Sequence, residues 1–474
     1  MVKFDYSKLP TADTVAAKNI YVVSKLRTGT SNFNVVALNY DEAKTYARSL
    51  ELIENNLDVT TASFAVNKYD SYEALKAYYA TEEGKEALAM FDTAYWDVTT
   101  KGFPILGYNA LDWVENLGTG MFSGWLDDAA GYDVDTDGDN QVLPFNIDGT
   151  VTGVYLKENI SSEVDLTAEN NLYANGKVNI TNTSTRAIEY KTILIQTAEG
   201  NFYEAQLEVY TRIINSKEDL RMFDLDSATT TRTFTGYYAL GNDIVDTEAT
   251  YNSNYKSGCY FQGILDGKGH SLTFTTTVGL FGYQFRGAST NSSTVKNINF
   301  KDCTITANTG TYQSSLLGCT YNAAPLYLQN LSVSLSDATY NNLIEKNKDS
   351  HILMYDAVTS GNPIVCQNVI VEFDYSKLPT AEETSTYVIN VVSKLRKNTS
   401  NFYVVALNYD ATKTYSRTLN LIGNESSNAG TVTKYGSYGD FKTYFESTEG
   451  QTALATFTTY WDVTAGYPVW KEQN

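Results

Sequence analysis

Three short segments near the middle of the chain follow one pattern, which restricts the fold more than any other sequence feature. In each, an apolar residue precedes Lys or Gln, then Asn, then apolar residues at alternating positions. The segments are Val295–Phe300, Leu328–Val333 and Cys366–Val371. Their Asn residues are Asn297, Asn330 and Asn368, which are separated by steps of 33 (330 − 297) and 38 (368 − 330) residues.

Each of these segments follows another short apolar run, so that every period contains at least two strands separated by polar loops. The preceding runs are Gly279–Gly282, Leu316–Cys319 and Ile352–Asp356. Repetition on this scale is typical of solenoids, in which each turn buries its apolar stripe against the next. The pattern predicts a mainly β chain containing a right-handed parallel β-helix. Asn297, Asn330 and Asn368 are expected to form a structural hydrogen-bonded ladder rather than a ligand site.

A much longer repeat surrounds this region. The nine residues FDYSKLPTA occur at Phe4–Ala12 and again at Phe373–Ala381, an offset of 369 (373 − 4) residues. The match continues from Ile20–Ile53 to Ile389–Ile422 and from Lys68–Leu106 to Lys434–Trp470. Since the second copy continues directly from the third Asn segment, the repeated unit is expected to be the last turns and α/β cap of a β-helix. The first copy is then expected to be the cap of a preceding module. It should expose a strand edge where earlier turns belong, or pair that edge with something else.

Inside the repeated unit, the sequence predicts a buried strand at Asn32–Asp41 and one or two short helices within residues 71–91. Gly84 is predicted to break them. Asp97 and Asp462 stand beside Thr near a Gly in the two copies, which favours a turn or cap role over a catalytic one.

Residues 108–212 have a different character, with alternating strands and hairpin signals at Asn175-Gly176 and Glu199–Asn201. They predict a small antiparallel sandwich that is similar in pattern to bacterial immunoglobulin-like spacer domains. The expected organisation is therefore a β-helix end or cap at 1–107, the sandwich at 108–212, the parallel β-helix at 213–370 and a second cap at 371–474.

An acidic loop at the start of the sandwich is a candidate calcium site. Asp133, Asp135, Asp137 and Asp139 alternate around Gly138, which resembles the opening of a calcium-binding loop. Twelve residues into such a loop the chain has Pro144, which cannot bind a metal, so a complete EF-hand is excluded. A shortened loop completed by Asp127, Asp128 or Asp148 is one possibility, and a solvated acidic loop is the other.

Charge and composition narrow the possible partners. With 35 Lys and Arg against 55 Asp and Glu, the net charge of −20 disfavours nucleic acid and anionic membranes. No apolar run is long enough to insert into a membrane.

The chain has four Cys without a C-x-x-C pair and only two His, which makes a zinc site improbable. The Cys are expected to be buried apolar residues, with a disulfide as the alternative. The chain contains no signal or anchor motif, so an exported protein would be represented here by one piece.

One segment resembles a known family. The pattern F-x-G-x-L-D-G-x-G-H-x-L at Phe261–Leu272, preceded by Leu240–Ile244 and followed by Gly279–Gly282, resembles the GLUG-type β-helix modules of bacterial cell-surface proteins. The resemblance covers about residues 216–371. It implies a secreted surface protein, often from Gram-positive gut bacteria, in which the motif is structural. Asp266-Gly267 and Gly269-His270 would then be tight-turn residues.

These features predict a non-catalytic repeat segment of a large extracellular adhesin or stalk. Its partners would be glycan or protein ligands and neighbouring modules of the same chain. One alternative is a polysaccharide-active lyase or hydrolase, since such enzymes also use β-helices. A second alternative is a segment of a phage tail fibre or spike, which would form trimers.

Overall fold

A computed structural model describes the chain apart from sixteen short segments. These are residues 13–18, 25–32, 55–65, 107–109, 125–140, 183–185, 225–231, 253–258, 283–291, 307–313, 321–324, 345–347, 357–363, 396–397, 424–430 and 473–474. The described residues fall into two compact units, Met1–Trp113 and Val114–Asn474. They are mainly β, as predicted, and most of the strands of the second unit belong to parallel sheets.

The first unit combines two small parallel sheets with two helices and a hairpin. Its elements are β1 (Val2–Asp5), a 3-10 helix (Tyr6–Lys8), β2 (Ile20–Val23), β3 (Phe33–Leu38), β4 (Leu50–Ile53), β5 (Val66–Tyr69), α1 (Tyr72–Tyr79), α2 (Glu82–Leu88), β6 (Trp96–Asp97), β7 (Ile105–Leu106) and a 3-10 helix (Ala110–Asp112). One sheet has the order β1-β3-β5, a second contains β2 and β4, and β6 pairs with β7 as an antiparallel hairpin.

The break between α1 and α2 does not have the predicted cause. Gly84 lies inside α2, and the first helix ends at Tyr79. The second helix is capped by Thr81, whose Oγ1 accepts a hydrogen bond from the Gly84 backbone N–H at 3.0 Å. Gly84 is needed because α2 approaches α1 closely, and a Cβ at this position would overlap the Tyr78 carbonyl oxygen. The glycine therefore permits helix packing and does not terminate a helix.

The second unit begins with a mixed sheet over the region predicted to be a sandwich. Its elements are β8 (Val114–Ser123), β9 (Val151–Leu156), 3-10 helices at Lys157–Asn159 and Glu163–Asp165, β10 (Tyr173–Ala174), β11 (Lys177–Val178), β12 (Glu189–Thr197) and β13 (Phe202–Tyr210). The sheet order is β8-β13-β12-β9. Both predicted hairpins are present, β10–β11 and β12–β13. The prediction of a wholly antiparallel arrangement is wrong for one pair, because β8 runs parallel to β13.

Most strands of the next part of the second unit belong to two parallel sheets. The elements are β14 (Arg212–Ile214), α3 (Lys217–Leu220), a 3-10 helix (Arg221–Phe223), β15 (Arg232–Phe234), β16 (Tyr237–Leu240), β17 (Ile244–Tyr251), β18 (Cys259–Phe261), β19 (Ile264–Asp266), β20 (Ser271–Thr276), β21 (Ser293–Ile305), β22 (Gly318–Thr320), β23 (Leu326–Leu335), α4 (Asp337–Asn342), β24 (Ser350–Asp356), β25 (Ile364–Asp374), β26 (Val388–Val392), β27 (Ser400–Leu407), β28 (Thr418–Ile422) and β29 (Thr433–Tyr435). The larger sheet has the order β14-β16-β19-β21-β23-β25-β27-β29, with β17 and β20 joined to it, and the smaller has the order β22-β24-β26-β28. β15 and β18 form a separate parallel pair.

A bend at each Asn residue allows one long strand to bury apolar side chains on both sides of the bend. Asn297 has a φ of 58°, in the left-handed region that Asn adopts more readily than most residues. This bend interrupts the alternation of side chains, so that Val295 and Ile298 are both fully buried although they are three residues apart. Asn330 and Asn368 have the same conformation, with φ values of 52° and 55°. The apolar residues on both sides of each bend thus face one continuous core.

The second unit ends with the second copy of the repeat, which has the same order of strands and α-helices as the first. After β29 come α5 (Tyr438–Phe445), α6 (Thr448–Leu454), β30 (Trp461–Asp462) and β31 (Val469–Trp470). The strand register is also the same, because Val2 pairs with Val35 in the first copy and Val371 pairs with Val404 in the second. The two copies therefore share a local fold.

Candidate functional site

The three predicted Asn residues lie in one row across β21, β23 and β25. The Asn330 Nδ2 donates to the Asn297 Oδ1 at 2.9 Å, and the Asn368 Nδ2 donates to the Asn330 Oδ1 at 3.1 Å. Asn297 and Asn368 are buried. Their amides therefore satisfy one another along the stack, which leaves little room for a ligand role.

The row is longer than the sequence pattern suggested. At one end, the Asn297 Nδ2 donates to the Asp266 Oδ1 at 2.8 Å, and at the other the Asn401 Nδ2 donates to the Asn368 Oδ1 at 3.0 Å. Asn401 was missed although it follows Asn368 by 33 residues and precedes an apolar strand. We call the five residues from Asp266 to Asn401 the amide ladder.

The Asp266 turn has the predicted structural role. The Asp266 Oδ1 also accepts from the Lys268 backbone N–H at 3.0 Å, and Lys268 and Gly269 both have positive φ. Asp266 Oδ2 accepts from the Tyr237 hydroxyl at 2.8 Å. The carboxylate thus holds a tight turn and ends the ladder.

The two Asp residues beside the hairpins likewise act in turns. The Asp97 Oδ1 accepts from the backbone N–H groups of Thr99 and Thr100, and the Thr100 hydroxyl, together with these bonds, lowers the pKa of Asp97 to about 2. Asp462 accepts from the Thr464 N–H at 2.9 Å. Neither arrangement presents a carboxyl group poised for catalysis.

The proposed calcium residues Asp133, Asp135, Asp137 and Asp139 lie outside the described residues, as do Asp127 and Asp128. Among the residues that the structure does describe, no three His, Cys, Asp or Glu side chains come together as a metal site. Cys303 and Cys366 are buried thiols, and burial raises the pKa of Cys303 to about 12. Within the same described part, no helix is long and apolar enough to cross a membrane.

A cleft of about 350 Å³ lies between the larger parallel sheet and the end of the second repeat copy. We call it the aromatic cleft. One side is formed by outward-facing residues of three adjacent strands, in which Asn299 pairs with Ser332 and Ser332 with Ile370. Two residues further along the same strands, Lys301, Ser334 and Glu372 also line it. These positions alternate with fully buried core residues, so the rigid sheet fixes a polar floor.

Aromatic side chains from the repeat copy form the opposite wall. Tyr438 of α5 and Tyr467 stack with ring centroids 5.3 Å apart, and Trp461 and Trp470 meet edge to face at 4.9 Å. The Trp470 Nε1 donates to the Gly269 carbonyl oxygen at 3.0 Å, which fixes the indole against the sheet. The Trp461 indole is only 3% exposed, and its Nε1 has no hydrogen-bond partner in the described part of the chain.

Charged groups of both signs border the cleft. Lys301 Nζ lies 3.4 Å from Glu472 Oε1. Burial, with smaller contributions from Asp302 and Asp374, raises the pKa of Glu372 above its usual range. The oxygen atoms of this carboxyl group can accept hydrogen bonds from hydroxyl groups.

In the first repeat copy, a third aromatic ring packs on the equivalent aromatic pair. There the counterparts of Tyr438 and Tyr467 are Tyr72 and Phe103, which stack at 5.2 Å. Trp113 packs against both, with ring centroids 4.7 Å from Tyr72 and 5.4 Å from Phe103. The two positions therefore form a surface on which a further ring can pack.

The sequence did not reveal the aromatic cleft, because its two sides come from distant segments. Trp470 and its hydrogen-bond partner Gly269 are 201 residues apart. A Gly-aromatic-Pro motif ends each repeat copy, at Gly102–Pro104 and Gly466–Pro468, but no ligand site was predicted from it. Comparison with protein-family models, curated proteins and solved structures found no match for this chain.

Proposed function

We propose that the alternating parallel sheets form a right-handed parallel β-helix and that the chain is a non-catalytic module of an extracellular surface protein. The alternation of strands between two sheets, with a parallel register in both, supports the first part. The net charge of −20 and the 369-residue repeat support an array of soluble modules. The GLUG-type resemblance supports a cell-surface location.

The aromatic cleft is the proposed ligand site, and its ligand is a glycan. The observation that carries this proposal is the meeting of a stacked aromatic wall with a polar strand floor in one cleft. Apolar faces of sugar rings pack on aromatic rings, while hydroxyl groups need several donors and acceptors. Ser332, Ser334 and Glu372 provide these groups. A volume of about 350 Å³ lies at the lower end of the range for small-ligand sites and suits one or two sugar rings.

Fluorescence titration with neutral and acidic oligosaccharides tests this proposal, since Trp461 and Trp470 report on the cleft directly. Replacing Tyr467 by Ala removes half of the stacked pair and should weaken binding about tenfold, which corresponds to about 1.4 kcal/mol. The matched control is Tyr409→Ala, since Tyr409 is 55% exposed and is not a lining residue of the cleft. Binding that survives Tyr467→Ala and Tyr438→Ala together would reject the cleft as the site.

The raised pKa of Glu372 favours one second candidate, a polysaccharide-active enzyme in which Glu372 is the general acid. This reading predicts that oligosaccharides bound in the cleft are cleaved and that reducing ends or unsaturated products accumulate. Glu372→Gln would abolish product formation while leaving binding in place. Binding without any product in the unaltered protein would support the non-catalytic module.

A further inference from the structure

Among the described residues, two strands of the first unit lie at sheet edges, although their counterparts in the second unit lie inside sheets. β1 is the end strand of β1-β3-β5, and β2 pairs with β4. The equivalent part of β25 lies between β23 and β27, and β26 lies between β24 and β28. Since the two copies have the same internal register, each edge strand can be compared with its paired counterpart residue by residue.

The comparison identifies apolar residues that are partly exposed in the first copy but covered by other residues in the second. In the second copy, Val371, Phe373, Ile389 and Val392 are completely buried. Their counterparts in the first copy are each only half-buried. They are Val2, Phe4, Ile20 and Val23, which we call the edge surface.

The second unit also shows which groups cover these positions. Val333 of β23 lies opposite Val371, and Met354 of β24 lies opposite Val392. Tyr340 of α4 packs on Phe373 with ring centroids 5.1 Å apart. The complement is therefore one turn of chain consisting of a strand, a short helix and a second strand, as in residues 326–356.

A hydrogen bond makes this complement more specific than apolar contact alone. The Tyr340 hydroxyl accepts from the backbone N–H of Asp374 at 2.8 Å. The corresponding donor in the first unit is the N–H of Asp5, which follows Phe4 at the end of β1. A covering turn that carries Tyr at the helical position can thus make the same contact.

We propose that the edge surface binds one solenoid turn of a related repeat module, added in parallel to β1 and β2. The incoming turn has the sequence type of residues 326–356, with apolar residues opposite Val2 and Val23. The first unit would then join modules end to end. This inference rests on strand register and burial and does not depend on glycan binding, so either proposal can fail without the other.

The test adds the proposed turn to the full chain. Residues 293–370 are copied in front of Val2, so that Ile370 precedes Val2 as it precedes Val371 in the second copy. Hydrogen exchange is then measured at β1 and β2. We expect the amides of β1 and β2 to exchange at least tenfold more slowly than in the unextended chain, and the extension to resist proteolysis. Unchanged exchange would overturn the proposal.

Substitutions distinguish an extension that docks on the edge surface from one that folds without docking. Ile20→Asp should lower the melting temperature of the extended chain more than that of the unextended chain, because only docking buries Ile20 as Ile389 is buried. Equal effects in the two chains would refute docking. An extension carrying Leu331→Asp and Val333→Asp is the matched control and should give no protection. A dimer of the unextended chain that Ile20→Asp dissociates would assign the edge surface to a second copy and would also refute the proposal.

Discussion

Replacing Asn330 measures how much one step of the amide ladder contributes to stability. Asn330→Ala removes the donor at 2.9 Å from Asn297 and the acceptor at 3.1 Å from Asn368. The Asn368 Nδ2 retains the Thr456 carbonyl oxygen at 3.0 Å, whereas the buried Asn297 Oδ1 loses this donor. A buried polar group deprived of its partner costs about 1–3 kcal/mol, so we expect the hydrogen-bond loss to cost about 2 kcal/mol.

The backbone adds a second contribution that can be separated. Asn330 has a φ of 52°, where Ala is strained by about 1 kcal/mol and Gly is not. We therefore expect Asn330→Ala to lower the free energy of unfolding by about 3 kcal/mol and Asn330→Gly by about 2 kcal/mol. The difference between the two variants reports the backbone term alone.

Urea unfolding followed by circular dichroism, with hydrogen exchange at β23 and β25, measures both terms. The control is Asn408→Ala, since Asn408 has a φ of 56° and donates only to Asp374 at an exposed site, at 2.8 Å. We expect this control to cost about 1 kcal/mol. If Asn330→Ala costs no more than Asn408→Ala, or if Asn330→Gly is as stable as the unaltered chain, the ladder does not stabilise the sheet.

Three further predictions concern a buried histidine, the acidic loop and a helical glycine. Burial lowers the pKa of His351 to about 3, so the unfolded chain binds a proton below pH 6.5 that the folded chain does not. Stability should therefore fall by about 2 kcal/mol between pH 6.5 and pH 5 in urea titrations, and His351→Gln should remove this slope while His270→Gln keeps it. Calcium bound by residues 133–139 should raise the melting temperature relative to EDTA, and an unchanged temperature would exclude the site. Gly450→Ala should destabilise the protein in thermal melts because a Cβ there would overlap the Tyr444 carbonyl oxygen, whereas Gly439→Ala in α5, which has ordinary space, should be neutral or stabilising by up to about 1 kcal/mol.

The periodic features could be predicted from the sequence because the same local requirement, such as a turn or a hydrogen-bonded bend, recurs at regular spacing. The Asn spacing placed Asn297, Asn330 and Asn368 in one row, and the hairpin signal at Asn175-Gly176 matched two residues with positive φ. Features that depend on contacts between distant segments were not accessible. Gly84 was assigned to a helix break because its contact with the preceding helix leaves no trace in local propensity. The parallel pairing of β8 with β13 was hidden for the same reason.

Comparison of the two repeat copies shows which properties depend on the repeated sequence itself and which depend on neighbouring parts of the chain. Strand order and register are the same in both, whereas burial of the equivalent apolar residues differs, as at Phe4 and Phe373. Register is thus a property of the repeated sequence, since a slip by one residue would turn every core side chain outward. Burial at the outer edge depends on the neighbouring turn.

The contact between the central strand and the first helix differs between the two copies. In the first unit, the Asn34 Nδ2 on the strand donates to the Tyr79 hydroxyl on α1 at 2.7 Å. In the second unit the strand position is Tyr403 and the helix position is Phe445, with ring centroids 5.7 Å apart. The hydroxyl has moved from the helix to the strand, where it donates to the Asn401 Oδ1 at 3.2 Å and so meets the amide ladder. The tyrosine hydroxyl thus has a partner in both arrangements, so side chains of the same copy form the contact between strand and helix, whereas full burial of the edge surface would require the proposed neighbouring turn.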